Sequence, residues 1–116
     1  MYCACNTSQT IDIKLEGDVD TDPFWCSLCG WNLDIDEIPL SSELKEKINT
    51  WASSYGNWID WDLDQIKPNG VQMEDEHNRY GVELYELLKK ELGSMYNIKF
   101  YPSTMGRRYT NQDSSR

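Results

Sequence analysis

Phe24-Trp25-Cys26-Ser27-Leu28-Cys29-Gly30-Trp31-Asn32-Leu33-Asp34-Ile35-Asp36 is the stretch that says most about how this chain folds. Two cysteines with two residues between them are followed by Gly30, and a tight thiol hook often needs the positive φ that glycine supplies. Asn32 to Asp36 then alternates polar and apolar residues, so a strand leaves the hook. Upstream, Thr10-Ile11-Asp12-Ile13-Lys14-Leu15-Glu16 has the same alternation and predicts a half-buried strand. An acidic loop from Gly17 to Pro23 joins that strand to the hook.

The remaining cysteines, Cys3 and Cys5, form a second close pair at the N-terminus. Cys3, Cys5, Cys26 and Cys29 together would close a tetrahedral site of four thiolates, for which zinc is the default ion. With every position taken by protein sulfur, no place remains for water, so the zinc would be structural. The N-terminal residues lack a basic segment and an apolar segment of the secretory kind, which predicts a cytoplasmic protein. In a reducing compartment paired cysteines are more often metal ligands or redox centres than disulfides. A redox Cys-x-x-Cys at Cys26 and Cys29 is the alternative, weakened by strands rather than a helix start beside it. An iron–sulfur cluster would want a run of three cysteines that is not here.

The hook Phe24 to Trp31 resembles a zinc-ribbon or rubredoxin-type knuckle. The resemblance implies metal ligation by Cys26 and Cys29 and, more loosely, by Cys3 and Cys5. The Cys-x-Cys spacing of the first pair departs from the second Cys-x-x-Cys of most zinc ribbons. As a whole the chain also resembles small proteins of Bacillus-type bacteria and their phages, a resemblance that implies no particular activity.

Beyond the hook, Pro39 ends the strand, and Ser41 or Ser42 can cap a helix with Glu43 in its first turn. Leu44, Ile48, Trp51 and Tyr55 make one apolar stripe, stopped by Gly56-Asn57. Lys67-Pro68-Asn69-Gly70 is a turn. A long helix follows from about Gln72 to Leu92, with Met73, His77, Tyr80, Leu84, Leu87, Leu88 and Leu92 on its apolar face and Gly93 as its stop. Tyr96, Ile98 and Phe100 give a last strand closed by Pro102. The expected fold is α+β: a small antiparallel sheet packed by two helices, with a metal clip of four cysteines at the N-terminal end. Residues 1–102 would form a single domain and 103–116 a flexible tail.

The 116 residues carry a formal net charge of −9. Residues 1–78 hold 16 acidic and 4 basic side chains, and residues 79–116 hold 4 acidic and 7 basic. Such a surface repels nucleic-acid phosphates and attracts a basic protein, although solubility alone also accounts for it. No apolar run approaches the roughly 20 residues of a membrane span.

Trp58-Ile59-Asp60-Trp61-Asp62-Leu63-Asp64 is the best candidate for a recognition surface. If extended, it would put Asp60, Asp62 and Asp64 along one side as a negative stripe, with Trp58 and Trp61 as anchors. The same pattern fits an edge strand whose acids oppose aggregation and whose rings fill the core. A calcium loop would also need a glycine and a distal glutamate at loop spacing, which are not here. His77, the only histidine, falls on the apolar face of the second helix, where packing is the commoner role and acid–base chemistry the rarer one. Glu74, Asp75 and Glu76 are accounted for by the positive end of that helix. Phosphate-loop, dinucleotide, nucleophile-elbow and zinc-protease motifs are absent from the sequence. Arg107, Arg108 and Tyr109 make only a small basic patch in the tail.

These readings converge on a non-enzymatic, zinc-stabilised, acidic interaction protein that binds a basic protein partner, with an immunity or inhibitor role as the natural instance. The rivals are a nucleic-acid-associated zinc module or nucleic-acid mimic, and a Cys-x-x-Cys redox protein.

Overall fold

A computed structural model describes residues 11–19 and 21–106. Strand β1 (Asp12–Leu15) buries Ile13 and Leu15 completely, as the alternation requires. Strand β2 (Phe24–Cys26) lies antiparallel to it, with Ile13 opposite Cys26 and Leu15 opposite Phe24. The hook then returns the chain as β3 (Asn32–Leu33), antiparallel to β2. Leu33 and Ile35 are both buried as expected, but the strand does not run on to Asp36. Asp34 caps a 3₁₀ turn at Ile35–Glu37 by accepting the Asp36 N–H at 2.8 Å, a local bond that competes with an extended backbone.

Helix α1 (Ser42–Ser53) buries Leu44, Ile48 and Trp51. The Ser41 side chain caps it by accepting from the Leu44 N–H at 3.2 Å. Ser41 also donates through its own N–H and Oγ to the Glu91 carboxylate, both at 2.8 Å. Those two bonds tie the start of α1 to the end of helix α2 (Gly70–Leu92). Between the helices lies a separate hairpin, β4 (Ile59–Asp60) with β5 (Gln65–Ile66). Strand β6 (Asn97–Phe100) follows α2.

The main sheet has the order β3-β2-β1-β6. The expectation of an antiparallel sheet is corrected here: β6 runs parallel to β1, pairing Ile13 with Ile98 and Leu15 with Phe100. A parallel pair needs a long crossover, and both helices lie within this one. Sequence alternation carries no sign of strand direction, so the α+β class was readable and the mixed pairing was not.

The core is the buried face of the sheet (Ile13, Leu15, Phe24, Leu33) against Leu44, Ile48 and Trp51 of α1 and Leu84, Leu88 and Leu92 of α2. The buried seam of α2 runs Gly70, Glu74, His77, Gly81, Leu84, Leu88, Leu92. It therefore excludes Tyr80 and Leu87, which are exposed. Gly81 belongs to the seam because a Cβ there would stand 2.7 Å from the Phe100 ring and 3.0 Å from Trp51. A side chain at that position would require the Phe100 ring to shift.

Candidate partner-binding hairpin

The Trp58–Asp64 segment is a tight hairpin rather than a continuous extended strand. Asp60 turns the chain: its Oδ1 accepts the N–H of Asp62 and of Leu63, both at 3.1 Å, an Asx-type turn. Asp64 completes the reversal with φ of +52°, a conformation that Asp tolerates better than most residues. The expected negative stripe of Asp60, Asp62 and Asp64 is therefore not formed. Asp60 is half-buried and engaged by the turn, and the other two sit in the loop beyond it.

The turn also separates the two tryptophans. Trp58 is 1% exposed and belongs to the interior, so its expected role as a surface anchor is corrected. Trp61 is 54% exposed and Leu63 is 65% exposed. The Trp61 ring lies over Gly56, where a Cβ would come within 3.1 Å of Cζ2. One side of the ring is thus supported by the domain while the rest faces outward. An exposed aromatic and an exposed aliphatic side chain on one pinned turn, with carboxylates on the same loop, offer a small docking surface.

Trp58 packs beneath the hairpin with Tyr55 and His77, at ring-centroid distances of 5.4 Å and 5.0 Å. His77 also stacks on Trp51 at 4.5 Å and 13°, and the Trp51 indole donates to the His77 carbonyl at 2.9 Å. The Ser54 hydroxyl donates to the Trp51 carbonyl at 2.7 Å and lies 3.1 Å from His77 Nδ1. With that hydroxyl proton committed, the consistent tautomer has Nδ1–H donating to Ser54 Oγ. Burial pushes the imidazole from its ordinary 6.5 down to about 4, so it is neutral at pH 7. It serves as a packing group, as the sequence implied.

A pH dependence follows. The unfolded chain binds a proton at His77 below about 6.5, and the folded chain does not until about 4. Stability from neutral burial is therefore full above pH 6.5 and is lost as pH falls toward 4, by roughly 2–3 kcal/mol. The measurement is the difference between the native chain and His77→Gln in urea melts from pH 7 to 4, which cancels contributions the two proteins share. The variant should lose less stability on acidification. Equal slopes for both proteins would remove His77 as the cause.

The hook has the expected local geometry. The Cys26 N–H donates to the Trp31 carbonyl and the Gly30 N–H to the Cys26 carbonyl, each at 2.9 Å, and Gly30 has φ of +80°. Cys26 is buried and Cys29 exposed. Cys3 and Cys5 lie outside the described residues, and among the described residues no group of three or more metal-ligating side chains assembles.

Glu74 does more than favour the positive end of α2. It is fully buried, and its Oε2 accepts from the Gly106 N–H at 2.6 Å and the Ser103 hydroxyl at 2.8 Å. Asn78 doubles the hold: its Oδ1 accepts the Ser103 N–H at 2.8 Å and its Nδ2 donates to the Ser103 carbonyl at 3.0 Å. Residues 103–106, assigned by sequence to the tail, are thereby fixed on α2. Residues 107–116 lie outside the description. The available signal was the spacing of Glu74, Asn78 and Gly81 along the inner side of the helix, which a hydrophobicity count passes over.

Among the described residues no helix is long and apolar enough to cross a membrane. Comparison with curated proteins gives no match. A family model described as Serratia CdiI immunity protein-like matches residues 11–103, a span that takes in β1 to β6, α1 and α2.

Proposed function

The chain belongs to the Serratia CdiI immunity protein-like family, and from that membership we propose that it is an immunity protein that binds a protein toxin and holds it inactive without catalysing a reaction. The family match carries this reading. The Trp61–Leu63 hairpin supports it by supplying an exposed apolar anchor on a rigid turn, the kind of group that dominates protein interfaces. The net charge of −9 favours a toxin with a basic contact face and would speed the encounter. The direct test is protection: cells producing the toxin domain should grow when this chain is co-produced, and the two proteins should co-purify. Growth arrest despite a folded, abundant chain would refute the assignment.

The cysteines have a supporting role in this proposal. Cys26 and Cys29, with Cys3 and Cys5, would hold zinc as a structural clip at the start of the sheet, and metal binding would then add to folding stability. Protein purified without chelator should contain stoichiometric zinc by elemental analysis, and chelation should lower its melting temperature. Metal-free protein with an unchanged melt would refute the clip, and reversible disulfide formation between Cys26 and Cys29 would replace it with redox chemistry.

A further inference from the structure

We infer that the cleft between α1 and α2, beside the base of the hairpin, receives an arginine side chain of the partner. The inference rests on the protein-binding reading and extends it to a second contact. The cleft is an open groove of about 270 Å³, slightly under the roughly 300–1,000 Å³ of small-molecule sites and suited to a single long side chain. The buried Trp51 and Trp58 line it with Met73, and the exposed Asn57, Glu76 and Tyr80 form its mouth.

The chemistry of the mouth selects the occupant. Glu76 is exposed, and among the described residues its carboxylate has no hydrogen-bond or ion-pair partner. The Asn57 side-chain amide is in the same position. Tyr80, 39% exposed, adds a ring edge and a hydroxyl. A carboxylate, an amide carbonyl and an aromatic ring at the end of an apolar trough match a guanidinium on an aliphatic stem. Arginine has five donors in a planar fork and stacks on rings; lysine has a compact, strongly hydrated head. An aliphatic side chain would fill the apolar part of the cleft but offer the Glu76 carboxylate no donor.

Among the described residues no lysine or arginine lines the cleft to oppose this occupant. His77 lines it but is held neutral by burial among Trp51, Trp58 and Tyr55. Arg79 lines a different groove, with Asp75 and Phe100. Trp58 links the two surfaces, since it lines the cleft and leads directly into β4. Trp61 on the turn and the cleft below it thus offer an apolar anchor and an arginine receptor, joined through one short segment.

The test titrates uniformly ¹⁵N-labelled full-length protein with N-acetyl-arginine-methylamide, and separately with the matching citrulline and norleucine compounds. The arginine compound should give saturable shifts at the Trp51 and Trp58 indole N–H signals and at the Glu76 and Tyr80 amides. The two neutral compounds should bind at least about tenfold more weakly. Glu76→Gln, at an exposed position, should weaken arginine binding roughly three- to tenfold with an unchanged melting temperature. Equal binding of citrulline or norleucine, insensitivity to Glu76→Gln, or absence of saturable shifts would each overturn the inference. The titration uses no toxin and the protection assay uses no capped arginine. A chain that protects cells but ignores the arginine compound would therefore sink this inference alone.

Discussion

Replacing Trp61 and Leu63 together by alanine should weaken toxin binding by about 3–6 kcal/mol, that is, by two to four orders of magnitude in Kd. The melting temperature should move little. Both side chains are more than half exposed, and surface substitutions usually change stability by about 0.5 kcal/mol or less. The turn would survive the change, because it is held by Asp60 accepting the Asp62 and Leu63 backbone N–H groups, and alanine keeps those donors. The size of the expected effect comes from preorganisation. Trp61 already rests on Gly56 and is carried by a pinned turn, so little of its conformational freedom remains to be lost on binding. Calorimetric titration of toxin with the native and double-variant proteins, alongside thermal melts, reads both quantities. A variant that binds toxin within threefold of the native chain would remove the hairpin from the interface and leave the family assignment intact.

Much of the fold was legible because it depends on local pattern. The stripe Leu44, Ile48, Trp51 and the Ser41 cap define α1 as the spacing said, and Ile13 with Leu15 defines the inner side of β1. The misread positions are those where a local bond or a distant segment overrules the pattern. Asp60 could serve either an alternating strand or an Asx turn, and the turn prevailed because its carboxylate reaches two backbone donors. Trp58 and Trp61 then went to opposite environments, although the sequence offered them as equivalent anchors. On α2, Glu74 and Gly81 occupy the inner seam for reasons that lie about twenty to thirty residues away, in Phe100, Ser103 and Gly106. Apolar counting placed Tyr80 on that seam instead, and the structure puts it at the mouth of the cleft. The parallel pairing of β6 with β1 is likewise a long-range fact. The tight turn after Cys29 was legible because Gly30 reports its own backbone geometry.

Trp58→Ala should have the opposite character to the change at Trp61, losing stability first and function only as a consequence. Trp58 is 1% exposed and packs against both Tyr55 and His77. Truncating a buried tryptophan costs about 3–5 kcal/mol, a large share of the roughly 5–15 kcal/mol that holds a domain together, and the melt should fall by roughly 10–25 °C. Trp58→Phe should be much milder. The Trp58 Nε1 has no hydrogen-bond partner among the described residues, so phenylalanine forfeits ring area without orphaning an acceptor. The two variants also separate packing from electrostatics. An alanine at this position opens one side of the His77 ring to water, which weakens the desolvation that holds its pKa near 4. The pKa should rise toward 6.5 in Trp58→Ala and stay low in Trp58→Phe. Proton NMR of the imidazole across pH 4–7, recorded at a temperature where each variant is folded, reads this directly. An unchanged pKa in a folded Trp58→Ala protein would mean that Trp51 and Tyr55 exclude water from His77 without help from Trp58.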